Sequence, residues 1–135
     1  MYKKILAGFG GAIVLNIVHE IIRKNFDNVP HINELGEEAL LKMTEDTSIN
    51  ITGKNTLYTT TLVGDIVSNG LYYATTATKS DITSGLLAGV GAVALPKQFG
   101  LNDNPVAETT QKKIMTVGYY LFGALVTKLI YDRIK

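Results

Sequence analysis

The chain has no cysteine, and only two histidines and three prolines in 135 residues. Without cysteine there are no disulfides and no thiolate nucleophile, so redox compartment leaves no mark on the composition. Two histidines are too few for the common helical metal centres. Di-iron bundles need paired Glu-x-x-His motifs and zincins need His-Glu-x-x-His, whereas His19-Glu20 is followed by Ile21-Ile22-Arg23. None of the four serines, Ser48, Ser68, Ser80 and Ser84, sits in Gly-x-Ser-x-Gly. Gly8-Phe9-Gly10-Gly11 lacks the spacing of a dinucleotide fingerprint. A net charge of +1, with no basic cluster interleaved with aromatics, gives no electrostatic field for nucleic acid. The expectation is no metal, no cofactor and no nucleic-acid partner, in a chain with no recognisable catalytic motif.

What the chain has is segregation. Charged residues are 19% of the total and apolar ones 46%. Four stretches, Ile5–Ile22, Leu57–Ala77, Ile82–Leu95 and Ile114–Tyr131, hold few charges, while the intervening segments hold most of the rest. A helix crossing a hydrocarbon core needs roughly 17–25 apolar residues. The first stretch is flanked by Lys3-Lys4 and Arg23-Lys24, placed to snorkel. It resembles a secretory signal but ends in Val18-His19-Glu20 rather than in small residues, so it reads as an uncleaved anchor. The second is rich in threonine, and Thr59-Thr60-Thr61 could open a strand were Asp65 and Gly70 not there to break a period of two. The third is short and meets Pro96, so it crosses only by recruiting residues up to Phe99. The expected architecture is a single all-α domain: an integral membrane four-helix bundle with spans at about 5–22, 57–77, 82–99 and 114–131. A soluble bundle of the same length would carry charge on its outer faces every turn, and three of the four stretches carry none over several turns.

Between the first two spans, residues 33–45 read as a short amphipathic helix. Leu35, Ala39, Leu40 and Met43 share one face and Glu34, Glu37, Glu38 and Glu45 the other. It lies on the bilayer or caps the bundle mouth. Asp46–Asn55 and Asn102-Asp103-Asn104-Pro105 read as loops.

Small residues mark packing faces. Gly85 and Gly89 form a G-x-x-x-G step, Ala88 and Ala92 a parallel one. Gly8 and Ala12 lead into Asn16, and Thr116, Tyr120, Gly123 and Thr127 follow one helical line.

Two spans also carry polar stripes. Asn16, His19, Glu20 and Arg23 fall at i, i+3, i+4, i+7, and Asp65, Ser68, Asn69 and Tyr72 repeat the spacing. At about 1.5 Å per residue, Asn16 lies roughly 10 Å inside the Arg23 end, and Asp65 about 12 Å inside the same end if the second span returns antiparallel. A carboxylate in lipid costs at least about 2.5–3.5 kcal/mol, so Asp65 must face partners or water. The binding or relay set is then Asn16, His19, Glu20, Asp65 and Asn69, with a carboxylate and an imidazole as a proton or cation relay. The competing reading is interhelical glue, with Asp65 bonded to Asn16 and Ser68, and Glu20 paired with Arg23.

In size and span number the chain is similar to small multidrug exporters and fluoride channels. Its first-span acid, Glu20, stands near the span end, its mid-depth acid, Asp65, lies in the second span, and it has no tryptophan. The resemblance therefore implies architecture and carries no functional residue across. Three functions follow: a small transporter or channel subunit, a non-catalytic accessory or assembly protein, and a lipid-acting membrane enzyme using His19 with Glu20 or Asp65. The partner is the lipid bilayer of a bacterial-type inner membrane. Basic residues flank the spans on both sides, so dual insertion as an antiparallel homodimer is one expected outcome.

Overall fold

The computed structural model describes residues 1–45, 47–49 and 51–135. Its described residues form six helices: α1 (Tyr2–Asn25), α2 (Ile32–Thr44), α3 (Lys54–Thr76), α4 (Asp81–Gln98), α5 (Asn104–Ala107) and α6 (Thr110–Ile134). The expected helices lie within a few residues of these bounds, and the threonine run 59–61 is helical. Parts of the polar stretch 46–55 fall outside the described residues. Within it, Gly53 adopts a φ of 85°, the left-handed geometry glycine tolerates at a helix start.

One expected loop is different. Residues 104–107 form the short helix α5, with Pro105 in its first turn, where a missing N–H costs nothing. The carbonyl of Pro105 accepts from the His31 amide at 2.8 Å, which ties the α1–α2 loop to α5. Pro96 also lies inside a helix, but α4 ends two residues later, so the lost hydrogen bond falls in its last turn.

The four long helices run up, down, up, down. α1 packs on α3 and on α6, and α6 packs on α4, so the spatial order is α3–α1–α6–α4. Both termini share one end; α2 and α5 close the other. The seams are made by small residues. A Cβ on Gly8 would clash with the backbone of Gly70 and Ala74 on α3. A Cβ on Gly89 would lie 2.6 Å from the Val117 Cα, and one on Gly85 would lie 2.7 Å from the Leu121 Cα. Gly85 and Gly89 therefore meet α6. Ala88 and Ala92 do not share that seam; they line a groove of about 600 Å³ between α4 and α3, floored by Tyr120. α3 and α4 touch where the Tyr72 hydroxyl donates to the Ser84 carbonyl at 2.6 Å.

The interior combines alanines and threonines with a few larger side chains, Leu15, Ile32, Tyr73, Val106 and Tyr119 among them, while many large aliphatic side chains face outward. Thr116 and Thr127 are 0% exposed, whereas Ile17, Leu87 and Ile114 are 53%, 66% and 66% exposed. The buried threonines close their own backbones: Thr127 donates to Gly123 O at 2.9 Å and Thr116 to Lys112 O at 2.8 Å. Tyr73, fully buried, donates its hydroxyl across the seam to Tyr120 O at 2.8 Å. Two helices, α1 and α6, are long and apolar enough to cross a membrane. α3 and α4 fall short of that measure.

Candidate functional site

Near the α2 end, α1 and α3 part around a small cavity. Its wall includes Asn16, His19 and Glu20 from α1, Ile32 and Asn33 from α2, and Tyr58, Asp65 and Asn69 from α3. All five residues of the expected binding set therefore meet at one place. The cavity encloses about 10 Å³, room for about one water molecule.

The antiparallel return of α3 sets this meeting. Asn16 and Asp65 come level because each lies a similar number of residues from the α2 end, as the rise per residue requires. Their side chains do not bond each other. Asn16 Nδ2 donates to the Ala12 carbonyl at 2.8 Å, one turn back on its own helix. Ser68, exposed, donates to the Gly64 carbonyl at 2.6 Å and takes no part in the cavity. Among the described residues, the two bonds that the glue reading gave to Asp65 are therefore not made.

His19 is 3% exposed, and its Nε2 accepts from the Ile32 amide at 2.9 Å. That bond fixes the ring: an accepting Nε2 has a lone pair, so the proton of the neutral imidazole sits on Nδ1. Nδ1 lies 3.5 Å from Glu20 Oε1. The Tyr119 ring meets the imidazole edge-on at 5.6 Å. Ile32 opens α2, so its amide is one of the helix-start donors that lack an intrahelical acceptor. His19 supplies that acceptor from another helix. Its place here is positional, and the imidazole is not free to serve as a charged partner of Asp65.

Glu20 is engaged as expected. Arg23 Nη2 donates to its Oε2 at 2.7 Å and Nε to its Oε1 at 3.2 Å, a two-point fork one turn along the helix. The Tyr58 hydroxyl lies against the same pair. This neutralised cluster forms the outer rim.

Asp65 is half-buried, and among the described residues its carboxylate has neither a salt bridge nor a side-chain hydrogen bond. α2 is drawn tightly over it. A Cβ on Gly36 would lie 2.8 Å from Thr61 Cγ2 and 3.3 Å from Asp65 Oδ1. Asn33 Nδ2 donates to Glu37 Oε2 at 3.1 Å, which leaves Asn33 Oδ1 buried without a partner. Thr61 Oγ1 is likewise unpartnered, one turn before Asp65 on the same side of α3. Such orphans are few in native interiors, and these two flank a single carboxylate.

No family model matches the chain, and neither the curated proteins nor the solved structures contain a significant match.

The site's chemistry therefore has to be read from its geometry. Among the described residues no group of three or more His, Asp or Glu side chains converges as a metal centre would require. His31 and Glu34, far apart in role from the cavity, pair with each other at 2.9 Å. Asn69 borders both the cavity and the α3–α4 groove, with the Tyr120 phenol beside it. The roles of Asn33, Tyr58 and Thr61 are not visible in the sequence pattern. Asn33 belongs to a different helix, and Thr61 lies one turn from Asp65 but is surrounded by other threonines that face outward.

Proposed function

We propose that the chain is an integral membrane four-helix bundle acting as a small transporter or channel subunit, with Asp65 as its proton- or cation-responsive group. The membrane reading draws support from the inverted distribution of side chains. Large aliphatic residues face out along every long helix, and glycine, alanine and threonine line the seams. Where lipid surrounds the helices no hydrophobic drive favours apolar interiors, and close backbone approach through small residues does the packing. The two helices that are not apolar enough by themselves lie beside the two that are, each packed on one of them.

The functional reading rests on one observation: a half-buried carboxylate faces a water-sized cavity and has no cationic partner among the described residues. A structural carboxylate at such depth would be expected to hold a lysine, an arginine or several N–H donors. An unpartnered one is suited to taking up and releasing a positive charge. The volume excludes any organic substrate from this cavity in the present conformation.

The test is flux in proteoliposomes. With a cation or proton gradient imposed, the native chain should dissipate it faster than empty vesicles, and Asp65→Asn should return the rate to background with helix content and elution volume unchanged. A native rate that Asp65→Asn leaves intact while the melting point drops would assign Asp65 to packing and favour the accessory reading.

A further inference from the structure

At the end of the bundle away from α2 and α5, an open groove of about 330 Å³ runs between α1 and α3, near the low end of ligand-sized clefts. Ile5, Leu71, Ala74 and Thr75 line it together with Lys4 and Lys79. The Thr75 hydroxyl donates to the Leu71 carbonyl at 3.0 Å, one turn back on its own helix, so the wall between the lysines is mainly apolar. The register of the two helices sets how the lysines stand. α3 runs antiparallel to α1, and Gly8 abuts Gly70 and Ala74. Lys4, four residues back from Gly8, therefore comes level with Thr76, which puts it within about 5 Å of the height of Lys79. Two long cationic side chains border one opening.

The charge there is one-sided. Among the described residues neither Lys4 nor Lys79 forms an ion pair, whereas Lys128 meets Asp132 at 2.7 Å and Lys112 meets Glu108 at 3.4 Å. No carboxylate lines the groove. Asp81, the acid nearest Lys79 along the chain, is engaged at the start of α4, where its Oδ1 accepts from the Ile82 amide at 2.8 Å. The first turn of α1 holds Lys3 and Lys4 and no acid, so the positive end of that helix dipole adds to the same field.

Depth divides the groove into two halves. Ile5, Leu71 and Ala74 fall within the apolar stretches 5–22 and 57–77, while Lys4 and Lys79 fall just outside them, at headgroup level. An apolar trough beneath two unmatched cations has the layout of a phospholipid with a net negative headgroup. A zwitterionic headgroup brings a cation of its own, for which the groove offers no carboxylate. A free phosphate would answer the lysines and leave the apolar wall uncovered.

We propose that this groove seats one anionic phospholipid, its phosphate between the Lys4 and Lys79 ammonium groups and one acyl chain along Ile5, Leu71 and Ala74. The proposal rests on the membrane reading given above and is independent of the role of Asp65.

The experiment is native mass spectrometry of the purified full chain in detergent, titrated with phosphatidylglycerol and, separately, with phosphatidylcholine of the same acyl chains. One phosphatidylglycerol should stay bound per chain, about thirtyfold tighter than phosphatidylcholine at low salt, or about fivefold for each lysine. Lys4→Gln with Lys79→Gln should erase that preference. Lys97→Gln with Lys113→Gln, at the other end of the bundle, should leave it intact. Thr75→Phe, at an exposed position on the groove wall, should fill the seat of the chain and weaken phosphatidylglycerol with helix content unchanged. Equal retention of the two lipids, a preference that survives Lys4→Gln with Lys79→Gln, or one lost equally with the distant pair would each overturn the proposal. Glycerol phosphate bound as tightly as phosphatidylglycerol, or full affinity in Thr75→Phe, would overturn it too, since the acyl chain would then have no seat. The two readings fail separately. A chain that needs detergent and shows no lipid preference loses only this site; a chain soluble without detergent that retains no lipid loses the membrane reading with it.

Discussion

The Ile32 amide and the His19 imidazole, thirteen residues apart and on different helices, are joined by a buried 2.9 Å hydrogen bond. Through it α1 provides the acceptor that the first residue of α2 lacks, and α2 is held across the bundle mouth above Asp65. At its far end α2 is tied again, by Lys42 Nζ to Gly100 O at 2.6 Å and by the Asn102 amide to Glu38 Oε1 at 2.8 Å.

His19→Phe keeps an aromatic ring against Tyr119 and removes the acceptor. The stranded amide should cost about 1–3 kcal/mol. The loss should be local, so hydrogen exchange across residues 32–44 should quicken while the α4–α6 seam stays protected. Acidification deep enough to protonate both ring nitrogens should have the same effect, because imidazolium has no lone pair. Unchanged α2 protection in the variant would remove His19 from this role.

Two neighbouring positions on α4 should respond oppositely to the same change. Gly89→Leu drives a side chain into the Val117 backbone, 2.6 Å from where a Cβ would lie, and should destabilise by about 3 kcal/mol or more. Ala88→Leu projects into the open groove and should cost less than about 1 kcal/mol. Denaturant titration in detergent reads both. Equal costs would mean that α4 is rotated from the orientation described.

Phe122, 43% exposed near the middle of α6, separates the two solvents by sign. In lipid, Phe122→Lys should reduce membrane insertion by about 2.5–3.5 kcal/mol, and the variant should fall sharply in the membrane fraction. In water the same change would break an apolar patch and improve solubility. A variant that stays soluble without detergent, at a higher yield than the native chain, would end the membrane reading.

Several parts of this molecule could be read directly from residue spacing. Periodicity located the long helices, because each apolar stretch is uninterrupted by strand-like alternation. The antiparallel return from Arg23 to Leu57 brought Asn16 and Asp65 to the same depth, since rise per residue is constant along any α-helix. The Glu20–Arg23 pair was legible for a related reason: partners three residues apart on one helix meet whatever the rest of the fold does. The short helix α5 was not, because Asn-Asp-Asn-Pro is equally good turn chemistry and helix start. Nor was the division of labour between the two small-residue steps on α4. Gly85 and Gly89 differ from Ala88 and Ala92 only by a rotation of the helix, and which face meets α6 depends on where α6 lies.

The sequence by itself determined the five longer helices to within a few residues, and the stripe of polar residues on α1 and α3, because these depend on local backbone geometry and side-chain period. Only the tertiary structure decided what those polar groups do. His19 became the acceptor for a foreign helix start, Asn16 turned back to its own backbone, and Asp65 was left facing a water-sized space roofed by Gly36. A hydrogen bond has one donor and one acceptor, and each of these groups had several within reach of its own chain. For His19 the partner was set by the position of α2, which also roofs Asp65, while Asn16 took the carbonyl one turn back on its own helix.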